Sequence, residues 1–346
     1  MNNELLTLHT FLSDHLETQV LPFWRNHGID WKNGGVQTFL RDDGSLFDSD
    51  KSVISNVRAL WTFSALARRP GADEFWSKAA DNSYRFLEKH GQAEDGMWNF
   101  LLAEDGRQLV EPRSIITSAF AIYGLVEYYR LSREGRAIDL ALRTYQACRD
   151  RLENPGSYAT ILYPTPGNMR AHRESMQFSL MLYELASATG DTGILREAMR
   201  HSDLVLDHFY REELGTILEY LGPDGPDLST PEGRTVVPGH AIESLWFQIH
   251  VRSSAEVADP AGARRAAAAL RRPLEMSWDA EYGGIFLGMD VHGKTPVYWK
   301  LPETKRWWPH CEALCGTLLA YEQLREDWCV DWYWRVQNRS FDQFPD

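Results

Sequence analysis

Two stretches put a histidine just behind a proline at what reads as the start of a helix: Val237-Pro238-Gly239-His240-Ala241-Ile242-Glu243 and Trp307-Trp308-Pro309-His310-Cys311-Glu312. Proline at the first helical position has its φ already set and forfeits no hydrogen bond, so each imidazole falls in an opening turn. Histidine can take and return a proton near neutral pH, which makes His240 and His310 candidates for acid–base work. Glu243 lies three positions beyond His240 on the same helical face, where a carboxylate could orient the ring. Glu312 is an acid in the opening turn of its own helix, a common place for a carboxylate. A residue that only caps or packs a first turn leaves the same mark, so spacing alone does not separate the two roles.

Arg58, in Asn56-Val57-Arg58-Ala59-Leu60-Trp61, is a cation inside an otherwise apolar helix and needs a buried anion or a polar cavity to face. Met176 and Gln177 stand on another apolar stretch as candidates for lining a pocket. By residue type His240, Glu243, His310 and Glu312 could also hold a metal, but no ligand spacing selects that reading, and neither metal nor cofactor is expected. No Walker loop, no GxGxxG behind a strand, no HExxH and no GxSxG occurs, so nucleotide hydrolysis, dehydrogenase, zinc-protease and α/β-hydrolase chemistry lack an anchor.

The elements that carry these side chains repeat. Asp30-Trp31-Lys32-Asn33-Gly34-Gly35-Val36 aligns with Asp279-Ala280-Glu281-Tyr282-Gly283-Gly284-Ile285, and weaker copies begin at Gly96, Gly156 and Gly215. Glycines at 35, 96, 156, 215 and 284 are spaced by 61, 60, 59 and 69 residues, and each copy runs on to a second glycine, at 44, 106, 167, 225 or 293. A period near 60 marks a structural unit. β-Branched and aromatic residues between glycines predict short extended stretches or hairpins. Between the copies, the periodicity predicts buried helices over 53–66, 115–129, 175–188, 240–250 and 311–324. These alternate with amphipathic helices over 74–89, 137–152, 194–209, 261–274 and 327–341. The unit of buried helix, amphipathic helix and hairpin describes an all-α (α/α)₆ toroid, one domain over residues 1–346. One more period from Gly284 passes the last residue, so a final hairpin and helix are expected to be missing.

Composition narrows the partners. With 36 basic against 49 acidic residues among 346, the net charge is −13, which disfavours nucleic acid and anionic membranes. The clusters Arg264-Arg265 and Arg271-Arg272 read as the solvated face of a helix. No segment approaches the roughly 18 apolar residues of a membrane span, and Met1-Asn2-Asn3-Glu4 lacks the basic start of a secretory signal. Four cysteines without CxxC spacing fit a reduced, cytoplasmic protein. Aromatic residues make up 12%, and flat apolar rings with polar edges suit sugars as well as ordinary packing.

Pro238-Gly239-His240-x-x-Glu243 and Trp307-Trp308-Pro309-His310-x-Glu312-Ala313, preceded by Val57-Arg58-x-x-Trp61 and the Gly34-Gly35 hairpin, resemble the N-acylglucosamine 2-epimerase family. The resemblance runs in order from about residue 10 to the last residue. It implies the (α/α)₆ barrel and epimerisation or isomerisation of free sugars. The family's pairs are N-acetylglucosamine with N-acetylmannosamine, cellobiose with its mannose-containing epimer, and mannose with fructose or glucose. It also implies ring opening, loss of the C2 proton to give an enediolate, and reprotonation on the other face. By the resemblance His240 and Glu312 belong to the catalytic set. Arg58, Glu243, Trp308, His310, Met176 and Gln177 then bind the sugar. Met176-Gln177 stands where some members have a histidine, which points away from the mannose isomerases and cellobiose epimerases, and the Trp307-Trp308-Pro309-His310-x-Glu312-Ala313 form resembles the acylglucosamine branch. The family's second catalytic histidine, in an aromatic-His-x-x-Arg segment, has no counterpart here, so impaired epimerisation with sugar binding retained is expected. The expected partner is a small sugar, with a homodimer as the assembly. A nucleotide effector occurs in some relatives without a locatable site in this chain. A glycoside hydrolase and an inactive sugar-binding or interaction protein are the competing readings.

Overall fold

A computed structural model of the chain describes residues 2–154, 157–158, 165–294 and 300–344. The described residues up to Glu153 form one compact unit and those from Thr165 onward a second. Every helix expected from the periodicity forms. The first unit holds α1 (Asn2–His15), α2 (Leu21–Phe23), α3 (Val53–Ala67), α4 (Glu74–His90), α5 (Ile115–Ser132) and α6 (Gly135–Leu152). The second holds α7 (His172–Thr189), α8 (Thr192–Asp203), α9 (Pro238–Ser253), α10 (Pro260–Ala269), α11 (Arg271–Ser277), α12 (Trp307–Leu324) and α13 (Asp327–Gln343). Together they make the all-helical framework of the (α/α)₆ class, and no helix among the described residues is long and apolar enough to cross a membrane.

Three boundaries depart from expectation. The N-terminal helix, which continues through π-helical stretches Leu16–Val20 and Trp24–Gly28, was not among the expected helices. The amphipathic helix over 261–274 is broken at Leu270, because Pro273 has no N–H to donate and its ring crowds the carbonyl of Ala269. The buried helix expected from Ser175 begins three residues earlier and carries His172, Arg173 and Glu174 into its first turn.

Side chains cap the amphipathic helices. Asp73 accepts from the Phe75 N–H, Glu134 from Arg136 and Asp191 from Gly193 and Ile194. In the first unit α3 packs on α4 and α5, and α5 on α6. In the second, α7 packs on α8 and α9, α9 on α10 and α12, and α12 on α13. Ile242, Leu245 and Ile249 of α9 form a core with Leu270 and Leu274, Ala313 and Ala320 of α12, and Trp332 and Val336 of α13.

The hairpins follow the glycines. Gly44 N–H donates to the Arg41 carbonyl, Gly106 to Ala103, Gly225 to Gly222 and Gly293 to Asp290, at 2.8–3.1 Å. The copy from Gly156 to Gly167 lies largely outside the described residues. The strand before a buried helix pairs with the next copy: 51–52 with 101–102, 170–171 with 220–221, and 235–236 with 289–290, all antiparallel.

A second regularity joins three of the turns to the helix that follows. Val36 N–H donates to Asn56 Oδ1 (2.8 Å), Trp98 N–H to Ser118 Oγ (3.4 Å) and Ile285 N–H to His310 Nε2 (3.1 Å). Asn56, Ser118 and His310 are each the fourth residue of their helices, α3, α5 and α12. Gly35 and Gly284 make room for these acceptors at φ of 75° and 91°; a Cβ on Gly35 would stand 2.5 Å from Asn56 Oδ1.

Candidate functional site

The second unit gathers its ionisable side chains where α7 and α9 begin. Strand 220–221 lies against 170–171, the His172 N–H donates to the Glu219 carbonyl (2.8 Å), and the Glu219 N–H donates to Thr235 (2.9 Å). The main chain around Glu219 is thus tied to the segments leading into both helices, and its carboxylate stands 1% exposed among their first turns. Pro238 opens α9 and His240 follows as its third residue. His240 Nδ1 donates to Glu219 Oε2 at 3.0 Å. Arg173 Nη1 donates to Glu219 Oε1 at 3.4 Å and Nη2 to Thr165 Oγ1 at 3.0 Å. His172 brings Nδ1 to 3.8 Å from Glu219 Oε2, while its Nε2 shares a hydrogen bond of 2.9 Å with Ser244 Oγ on α9.

Burial by itself would push the Glu219 carboxyl up. The His240 and His172 rings and the Arg173 guanidinium outweigh that and hold it well below the usual carboxylate range. Burial pushes His172 down, so it is a neutral imidazole at pH 7. Within this cluster His240 is the most exposed side chain, at 13% against 7% for Arg173 and 1% for His172 and Glu219. With a carboxylate accepting from Nδ1, the ring keeps its proton there, and Nε2 carries the lone pair that can take another. Trp308 lies over the ring at 5.5 Å between centroids, tilted by 37°. That approach requires Gly239, whose place would otherwise put a Cβ 2.4 Å from the Trp308 ring. An imidazole held by a buried carboxylate beside an indole face can move a proton on a small polar molecule resting against the tryptophan.

The remaining expected residues fall into a common register. Arg58, Gln177, Glu243 and Glu312 are each the sixth residue of α3, α7, α9 and α12. Gln177 Nε2 donates to Glu243 Oε1 at 3.3 Å, which brings those two together beside the cluster, and Glu312 Oε2 accepts from Trp246 Nε1 at 2.7 Å. The expectation that Glu243 orients the His240 ring gives way to Glu219, which reaches Nδ1 from the bend between strands 216–217 and 220–221. Arg58, in the first unit, is exposed, with its guanidinium 5.0 Å from the Phe120 ring centroid, so of the buried anion or polar cavity expected for it the buried anion does not apply, and the cation rests on an aromatic face. Met176 is 1% exposed and belongs to the core. His310 is wholly buried, its Nε2 accepting from Ile285 and its Nδ1 donating to the Arg306 carbonyl at 2.7 Å. Both ring nitrogens serve the main chain, so the pocket-lining role expected of His310 is replaced by that of a turn anchor. Among the described residues no three His, Cys, Asp or Glu side chains are grouped to hold a metal.

Sequence reasoning missed Glu219, His172 and Arg173. The available signal was a lone carboxylate in the otherwise apolar run Thr216 to Leu221, and three ionisable residues in succession at the head of an apolar helix.

Comparison with known proteins bears on the family and the fold. N-acylglucosamine 2-epimerase of Bos taurus is 28% identical over 350 residues, spanning 95% of this chain and 79% of the relative. The structure of cellobiose 2-epimerase from Bacillus thermoamylovorans superposes with a TM-score of 0.80 at 19% identity, covering 98% of this chain and 87% of that one. A family 76 glycoside hydrolase of Bacteroides thetaiotaomicron shares the fold at a TM-score of 0.62 and 12% identity, over 90% of this chain and 82% of that one. The profile of N-acylglucosamine 2-epimerase (GlcNAc 2-epimerase) matches residues 34–346, and the chain belongs to that family.

Proposed function

We propose that the protein epimerises a free sugar at C2, interconverting N-acetylglucosamine and N-acetylmannosamine, with His240 as a proton carrier. The observation that carries this reading is the partly exposed His240 ring, fixed through Nδ1 by Glu219 and covered by Trp308. In the open-chain sugar the C2 hydrogen is acidified by the adjacent aldehyde. Nε2 of His240 takes that proton, the C–H electron pair moves into the C1–C2 bond, and the aldehyde oxygen takes up the charge as the enolate of the 2-acetamido aldehyde. Return of a proton to the other face of C2 completes the epimerisation. The Gln177–Glu243 pair, in hydrogen-bond register one turn along α9, supplies polar groups for the sugar hydroxyls. The acetamido sugar is favoured by the similarity to the bovine enzyme over nearly the whole chain. Four unbridged cysteines support a reducing compartment, and we read the enzyme as cytoplasmic.

The test is exchange at C2. Incubated with N-acetylmannosamine in deuterium oxide, the protein should replace the C2 proton by deuterium, followed as loss of the C2–H signal in the proton spectrum. His240→Asn should abolish the exchange. A wild-type protein that leaves C2 protonated in both epimers, or an asparagine variant that exchanges as fast, would overturn the assignment.

A further inference from the structure

We infer that Glu219 is the positioning residue of this site, holding His240 in the tautomer that accepts a proton at Nε2, and that Arg173 and His172 keep it aimed. The inference rests on the reading of His240 as proton carrier. A carboxylate that is 1% exposed is costly unless it is paired, and Glu219 is paired on both oxygens. Its Oε1 meets Arg173, so a fixed cation offsets its charge in the resting state. Its Oε2 meets His240, the most exposed member of the cluster.

The main-chain bonds of residue 219 to His172 and Thr235 hold the carboxylate in register with both helix starts, which a side chain on α9 itself could not do. His172 stands on the other flank of Oε2, anchored by Ser244 one turn beyond His240. As a neutral ring it blocks rotation of the carboxylate away from His240 without adding a charge that would repel an imidazolium. When His240 takes the substrate proton, the new cation forms against an anion already in place, so nothing has to reorganise during the step.

Glu219→Gln tests this. It keeps the shape and replaces the anion by an amide whose nitrogen can face Nδ1 and reverse the tautomer. The expected result is a fall in kcat of about 10²- to 10³-fold with KM changed less than about threefold, the pattern of a lost orienting carboxylate. In ¹⁵N-labelled protein the His240 nitrogens should report the proton on Nδ1 in the wild type and its movement to Nε2 in the variant, a signature that a purely structural role would not shift. If Glu219→Gln does not fold by circular dichroism, Glu219→Asp keeps the charge opposite Arg173 while drawing it back from Nδ1, and should lose kcat with KM preserved. Wild-type kcat and tautomer in a folded Glu219→Gln or Glu219→Asp would overturn the inference while leaving His240 in place. Retained exchange in His240→Asn would instead overturn the functional reading itself.

Discussion

His240 and His310 look alike in the chain, each behind a proline in the first turn of a helix of the buried series, yet one position of register separates their work. In α3, α5 and α12 the fourth residue, Asn56, Ser118 or His310, reaches back to the preceding turn, whereas the third residue of α9 meets the bend that carries Glu219. His310→Leu should therefore orphan the buried Ile285 N–H and lower stability by about 2–4 kcal/mol in urea unfolding, while C2 exchange per folded molecule persists. Loss of exchange in a folded His310→Leu would return that ring to the chemistry. The motif thus made His240 legible, and sixth-position register explains why Arg58, Gln177, Glu243 and Glu312 stood out together. Glu219 was not legible, because its role depends on the pairing of 170–171 with 220–221 and on the main-chain bond from Glu219 to Thr235, and those are long-range facts with no local pattern.

At the scale of elements, the period of about 60 residues was readable because the turns impose it chemically. Asp30 Oδ1 accepts from the N–H groups of Lys32 and Asn33, Asp279 Oδ1 from those of Glu281 and Tyr282, and a lysine just ahead of the next helix closes each turn: Lys51 on Asp30 and Lys305 on Asp279. Lys51 is wholly buried, 2.7 Å from Asp30 Oδ2 and 4.5 Å from the Phe86 ring centroid. Lys51→Met should leave Asp30 as an uncompensated buried anion and cost about 3–5 kcal/mol, partly recovered by adding Asp30→Asn. The exposed pair Arg25–Asp73, at 40% and 51% exposure, should cost at most about 1 kcal/mol when Arg25 is replaced by alanine. Equal shifts in urea midpoint for Lys51→Met and Arg25→Ala would contradict the latch. The lysines themselves gave no signal in the sequence, since a charge before a helix reads as solvated until the turn closes over it.

At the scale of the molecule, the same helical framework serves an epimerase and a glycoside hydrolase at 19% and 12% identity, so the fold does not choose the reaction. Hydrolysis would ask for two carboxyl groups facing the sugar, and Glu219 is committed to His240 and Arg173. The commitment of histidines to neutral, buried positions has a consequence for the whole chain. Burial lowers His172, His310 and His201, the last to about 3, and His201 leaves Nδ1 without a hydrogen-bond partner while its ring leans on Phe178. In the unfolded chain these rings take protons near 6.5, and in the folded one only at lower pH, for His201 near 3. The unfolded state therefore binds more protons below about pH 6.5, so stability is complete above that pH and is lost as the pH falls, the His201 contribution draining away down to about pH 3. Glu219, Asp30 and Asp290, all held low in the folded state, push the same way once the pH drops below the ordinary carboxylate range. Urea unfolding at pH 7.5, 6 and 5 should show a progressive loss, with a slope of up to about 1.4 kcal/mol per pH unit for each of the three rings. His201→Phe, which keeps an aromatic ring against Phe178 and removes the titrating nitrogen, should flatten that slope by about one proton; a pH-independent midpoint in the wild type, or an unchanged slope in the variant, would show that these histidines are not neutral in the folded chain.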